Sequence, residues 1–190
     1  MVNMIINEKL INNNLHLRSL TLDDCKEQYV YWLNDIEVNK YLETRFTFQN
    51  IEMIKSFVAA VNESKDSYLF GIFINEVHIG NIKIGPIHPI YKFADISYFI
   101  GDKDCWGKGY TTLAIKLITE FGFNTIGLNR IQAGVHGSNI GSQKVLEKCG
   151  YKKEALLRKK IYYGCNENKV WDDHLYFGIL KEEYPPPLII

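Results

Sequence analysis

The stretch from Ile96 to Ile118 constrains this chain most, because it reads as a strand, a tight glycine turn and a helix in immediate succession. The run Ile96-Ser97-Tyr98-Phe99-Ile100 is β-branched and aromatic, whereas Leu113, Lys116/Leu117 and Phe121 recur at helical spacing. Between them lies Gly107-Lys108-Gly109. Two residues without Cβ let successive backbone N–H groups point into one concavity, and the helix that follows adds its unpaired donors and positive end. A pyrophosphate fits such a concavity. A bare G-x-G also serves as a plain strand-to-helix connection, so the neighbouring residues decide.

Spacing removes two phosphate-binding motifs. Gly101 and Gly107 are separated by five residues where a Walker A loop has four, and Gly109 stands where that loop needs a Ser or Thr for magnesium. A dinucleotide fingerprint needs a third glycine where this chain has Thr112.

The stretch resembles motif A of the GNAT acetyltransferase superfamily, Q/R-x-x-G-x-G/A, and in particular its W-G-K-G-Y-A-T form in RimJ/RimL-type N-acetyltransferases. Trp106-Gly107-Lys108-Gly109-Tyr110-Thr111-Thr112 carries the match, and Asp104 departs from it where the superfamily has Gln or Arg. Downstream, Asn139-Ile140-Gly141-Ser142-Gln143-Lys144-Val145-Leu146-Glu147-Lys148-Cys149-Gly150-Tyr151 resembles the family's N-x-x-S-x-x-V-L-E-K-x-G-F segment. The likeness spans roughly residues 14 to 182, with Leu15-His16-Leu17-Arg18 as an opening strand and the segment from Trp171 as a closing one. It implies an α+β fold in three α/β/α layers, with a mixed, mostly antiparallel sheet of about seven strands, splayed at its centre. It also implies acetyl-CoA as cosubstrate, held by Phe99, Ile100, Trp106, Gly107, Lys108, Gly109, Tyr110, Thr111, Asn139 and Ser142, and no metal.

Composition agrees with one domain over residues 1–190, with a short polar extension at 1–14 and a Pro-rich tail at 184–190. Lys+Arg 22 against Asp+Glu 22 leaves no net charge, so nucleic acid is not the expected partner. Cys25, Cys105, Cys149 and Cys165 show no metal-ligand spacing and read as free thiols of a reducing compartment. With neither a signal peptide nor a membrane-length apolar run, the sequence reads as cytoplasmic, a monomer or homodimer.

In chain order, 15–20 alternates as a strand, and Thr21 is placed to cap a helix from about Leu22 that carries Tyr29, Trp32 and Leu33. A short helical or irregular piece follows over 37–45, then a helix from near Gln49 to Val61 with Ile51, Ile54, Phe57, Val58 and Val61 on one face. Strands are expected over 68–74 and 77–84 around Asn75-Glu76, from Phe93, over 130–136, 152–163 and 169–180, with a helix over 139–149 closed by Gly150.

Aminolysis of a thioester needs a free amine, a polarised carbonyl and a proton for the departing thiolate, and most of the rate comes from alignment. The resemblance implies a bulge that splays the central strand at Tyr98, Phe99 and Ile100 and exposes main-chain donors beside the thioester. Many members protonate the thiolate with a Tyr where this chain has Leu146, and Ser142 is the hydroxyl that remains. Candidate bases are Asp95, on one strand face with Ser97 and Phe99, and Glu43. His16, His78, His88, His136 and His174 lack a recognisable partner and read as structural or exposed.

The segment from Trp32 to Arg45 falls where the family builds its acceptor pocket, with Trp32, Asn34, Glu43 and Arg45 as lining candidates. Arg45 supplies a planar fork for a phosphate or carboxylate. An amino-sugar nucleotide and a protein N-terminal amine are the expected acceptors, with a polyamine or a non-catalytic acetyl-CoA sensor as alternatives.

Overall fold

A continuous apolar run, β3 (Tyr68–Ile74), and a run interspersed with polar residues, β4 (Val77–Ile84), close on each other through Asn75 and Glu76, both at positive φ (47° and 65°). A two-residue turn of that hand matches the right-handed twist of the strands it joins. In the computed structural model, which describes residues 9–12, 14–164 and 169–184, this hairpin sits inside an eight-stranded sheet of order β1-β2-β3-β4-β5-β6-β8-β7. The other strands are β1 (Leu10–Asn12), β2 (Leu15–Ser19), β5 (Phe93–Ile100), β6 (Arg130–His136), β7 (Lys152–Tyr163) and β8 (Val170–Leu180). Neighbours are antiparallel except β5 and β6, which run parallel.

Helices cover both faces. On one, α1 (Glu27–Asn34), the short α2 (Ile36–Asn39) and α3 (Ile51–Glu63) bury Tyr29, Trp32, Val38, Ile54 and Val58 against Leu20, Leu69 and Phe73. On the other, α4 (Tyr110–Glu120) and α5 (Ile140–Lys148) bury Ala114, Ile115, Ile118 and Leu146 against Leu17, Ile72, Ile82, Ile96 and Ile131. Each fully buried Leu, Ile or Phe contributes roughly 1.5–3 kcal/mol.

Three expectations are corrected. The sheet has eight strands where about seven were expected, the addition being Leu10–Asn12, assigned to a polar extension, which pairs with Leu15–Leu17. Three residues are too few to show a two-residue period. Thr21 leads into a single 3₁₀ turn, Leu22–Asp24, and α1 starts only at Glu27. The Asp24 carboxylate is taken up by the Thr21 N–H and hydroxyl (2.8 and 3.0 Å) and by the Arg18 guanidinium (2.7 Å), and Cys25 leaves helical geometry at ψ 78°. Most of the extension and of the Pro-rich tail, most of the turn before β8 and Cys165 lie outside the described residues.

The third correction concerns the splay. β5 and β6 pair only from Phe93/Arg130 to Asp95/Gln132 and then part. No bulge on β5 produces this, since the β4–β5 register runs unshifted from Ile84/Ile96 to Gly80/Ile100. Each strand instead keeps its outer neighbour, β5 following β4 as far as Gly80/Ile100 and β6 following β8 as far as His136/His174.

Candidate active site

The open part of β5 turns polar backbone into the gap. The Asp95 carbonyl accepts from the Gly85 N–H and the Gly101 N–H donates to the Ile79 carbonyl, both at 2.8 Å on the β4 side. Peptide groups alternate sides along a strand, so those of Tyr98 and Ile100 face the missing partner. The Ile100 carbonyl accepts from Trp106 Nε1 at 2.8 Å, which fixes the start of the glycine turn. The amides of Tyr98 and Ile100 are donors beside a cleft of about 130 Å³ lined by Tyr41, Ser97, Tyr98, His136, Asn139 and Ser142, among others.

Side chains sort by face. Ile131, Ala133 and Val135 of β6 belong to the core under α4 and α5, as do Ala94, Ile96 and Ile100 of β5. Tyr98 shares that face, and its hydroxyl lies 2.7 Å from Ser142 Oγ. Asn139 caps α5 by accepting from the Ser142 N–H at 3.1 Å, which seats Ser142 in the first turn. Burial pushes the Tyr98 phenol well above its usual range, only partly offset by the Ser142 hydrogen bond, so it stays protonated. Two hydroxyls in contact at the cleft wall can pass a proton to a departing anion.

The glycine turn has the geometry of a cradle. Gly107 and Gly109 adopt φ of 72° and 82°, and a Cβ at either would meet no atom within 4 Å. The site is therefore open, and the backbone conformation alone demands glycine. Gly109 has no side chain to cap α4, and the amides of Tyr110, Thr111 and Thr112 find no acceptor among the described residues. Exposed amides at a helix N-terminus, beside Lys108, fit the pyrophosphate of acetyl-CoA. We predict that Gly109→Val weakens acetyl-CoA binding at least ~10-fold, about 1.4 kcal/mol. Unchanged calorimetric affinity in the folded variant would refute the cradle.

The acceptor candidates do not all converge. Trp32 is 2% exposed, within the core under α1. Asn34 clamps a loop, donating to the Val30 and Gln49 carbonyls (2.9 and 2.8 Å) and accepting from the Gln49 N–H at 2.9 Å. Arg45, its side chain 4% exposed, donates to the Leu42 carbonyl and to the Tyr162 carbonyl (2.7 Å) and stacks on Phe46, 4.1 Å from its centroid. Glu43 is exposed beside it. Asp95 accepts from Gln132 Nε2 at 3.2 Å, at the closed end of the gap.

Sequence reasoning missed Tyr41 and His136. Both line the cleft, with ring centroids 5.1 Å apart. The available signal was position: His136 ends the strand that leads into the Asn139 segment.

Residues 14–152 match the acetyltransferase (GNAT) domain family. This chain belongs to it. The GNAT chain is 30% identical over 182 residues to the uncharacterized N-acetyltransferase p20 of Bacillus licheniformis, covering 93% of this chain and 98% of the relative. Its fold matches spermidine N-acetyltransferase from Vibrio cholerae, solved with CoA and spermine, at TM-score 0.80 and 19% identity over 91% of this chain and 99% of that one. It also matches Mycobacterium smegmatis RimJ, solved with CoA-disulfide, at TM-score 0.79 and 22% identity over 90% of this chain and 84% of that one. As a GNAT acetyltransferase it is an acetyl-CoA-dependent acyltransferase. Among the described residues no helix is long and apolar enough to cross a membrane.

Proposed function

We propose that this GNAT protein transfers acetyl from acetyl-CoA to a primary amine by direct attack in a ternary complex. One observation carries the reading: the amides of Tyr98 and Ile100 and the Tyr98–Ser142 hydroxyl pair converge on the gap where β5 and β6 part. The amides serve the developing oxyanion and the hydroxyl pair the departing thiolate, so little covalent chemistry is asked of the protein.

The acceptor we assign is an amino-sugar nucleotide, ahead of a protein N-terminus. Tyr41, which lines the cleft, lies 6.2 Å from Tyr163, and a second ring group on neighbouring residues pairs Phe46 with Tyr162 at 5.4 Å and Tyr162 with Trp171 at 5.5 Å. Lys40 stands 5.2 and 5.0 Å from the ring centroids of Tyr41 and Tyr163. Rings with a neighbouring cation suit a sugar or base bearing phosphate. Arg45, already bound to two carbonyls, frames this wall, and Lys40 meets the anion.

The test offers acetyl-CoA with an amino-sugar nucleotide, a short peptide with a free N-terminus, or spermidine, and follows thiol release. The expected order of kcat/KM places the nucleotide first. Preference for spermidine overturns the acceptor. No thiol release with any amine of the panel, in protein that still binds acetyl-CoA, overturns catalysis in favour of a sensor.

A further inference from the structure

The opposite face of the same gap carries a group that the sequence reading set aside. Because Ile131, Ala133 and Val135 point under α4 and α5, Gln132, Gly134 and His136 point to the other face, shared with Asp95, Ser97 and Phe99. This is the side on which Tyr41, Glu43 and Arg45 approach. His136 is buried and its Nδ1 lies 3.4 Å from Asp172 Oδ2 on the paired strand β8. That carboxylate is held in place by the Ser138 N–H (3.0 Å) and hydroxyl (2.7 Å), while its other oxygen accepts from the Asp173 N–H at 2.9 Å.

The two ring nitrogens of His136 have different surroundings. Neither makes a hydrogen bond within the described residues, but Nδ1 is enclosed with the Asp172 carboxylate 3.4 Å away, an electrostatic contact, whereas Nε2 is not enclosed and is the atom offered to the cleft. Gly134 extends the arrangement. A Cβ there would lie 2.5 Å from His174 Nε2, so the bare glycine admits a second imidazole beside His136.

We infer that His136 is the base that accepts the proton of the acceptor amine, and that Asp172 is its positioning residue. The inference rests on the transferase reading above. In the step, the amine lone pair forms the C–N bond to the thioester carbonyl carbon, and the amine proton passes to His136 Nε2. The C–S bonding pair leaves on sulfur, which takes a proton from the Ser142–Tyr98 pair. His136 then returns its proton to the hydroxyl pair through solvent. Acid and base thus stand on opposite faces of one sheet, so the incoming amine and outgoing thiolate do not compete for space.

The groups facing His136 are Asp172 and His174 from β8 and Arg45 and Glu43 from the segment before α3; Lys160 of β7 acts on His174. Burial, then Arg45, disfavour the imidazolium, and Asp172 and Glu43 only partly compensate, leaving the ring below its ordinary range and neutral at pH 7. A base of this kind loses activity as pH falls through its lowered pKa, so the acid limb of kcat/KM lies below about pH 6.5.

The test measures thiol release from acetyl-CoA against pH for the parent, His136→Gln and Asp172→Asn, with the best amine of the panel and with calorimetric acetyl-CoA affinity alongside. His136→Gln should lower kcat about 10²–10³-fold, abolish the acid limb and leave acetyl-CoA affinity unchanged. Asp172→Asn should keep more of the rate and move the acid limb to lower pH, because the carboxylate holds the imidazole pKa up. Near-parental kcat with the acid limb retained in His136→Gln overturns the inference. Should that variant fail to fold, an unmoved limb in Asp172→Asn does so. A parent that acetylates no amine overturns the transferase reading itself, and this assignment falls with it.

Discussion

Ser142→Ala and Tyr98→Phe should each lower kcat on the order of 10²-fold with little change in acetyl-CoA affinity, and the double variant should be scarcely slower than either single one. The reason is the 2.7 Å contact between the two hydroxyls. Groups that act as one relay are non-additive: once either oxygen is gone, the path from solvent to the sulfur is already broken. Tyr98 is half-buried at the cleft wall and its phenol is held protonated, so it is a donor at every pH of interest, while Ser142 sits at the start of α5 with its amide tied to Asn139. Stopped-flow thiol release, which separates chemistry from product release, is the measurement. Losses that multiply to about 10⁴ would mean two independent roles, and full activity in Ser142→Ala would hand protonation to water or another donor.

Trp32→Ala should cost about 3–5 kcal/mol of folding stability, the range for emptying a buried aromatic site, against a typical total of about 5–15. The indole is 2% exposed and lies 5.1 Å from the His78 ring, 6.3 Å from Tyr29 and 6.5 Å from Phe99. It also lies against Gly101, where a Cβ would come within 2.1 Å of the ring, so sheet and helix approach as closely as a glycine allows. Denaturant unfolding reads the loss directly. An unchanged midpoint with a raised KM for the acceptor would instead restore the acceptor-lining role that residue types and position suggested for Trp32.

What the sequence disclosed was chiefly local. The Asn75-Glu76 turn, the bounds of β3, β4 and β6, and the capped start of α5 at Asn139 depend on residues within a few positions of one another. The glycine turn was legible for the same reason: its two positive-φ residues, the preceding strand and the following helix all lie in one stretch. What was hidden depends on partners far along the chain. Trp32 and Asn34 carry groups that suit a sugar, yet one packs beneath Phe99 and the other clamps Gln49. Arg45 has the right chemistry for an anion, but the Tyr162 carbonyl, 117 residues later, takes part of its fork. His136 looked unpartnered because Asp172 lies across a strand pairing that only the folded sheet creates. Tyr98 and Ser142 were both singled out, but their contact spans 44 residues and depends on how α5 lies against β5.

The parting of β5 from β6 has one more consequence, for how the protein responds to its own cosubstrate. Beyond Asp95 and Gln132 the sheet is interrupted, and its two halves are joined there by no ladder hydrogen bonds. A ligand carrying amides along that seam restores the missing rungs and ties the halves together, and since only the folded chain presents the seam, binding adds to folding stability by mass action. At a ligand concentration 100 times Kd the gain is about 2.7 kcal/mol, which for a domain of this size raises the melting temperature by several degrees. Heat tolerance thereby becomes a gauge of occupancy, read without any turnover and with no acceptor present.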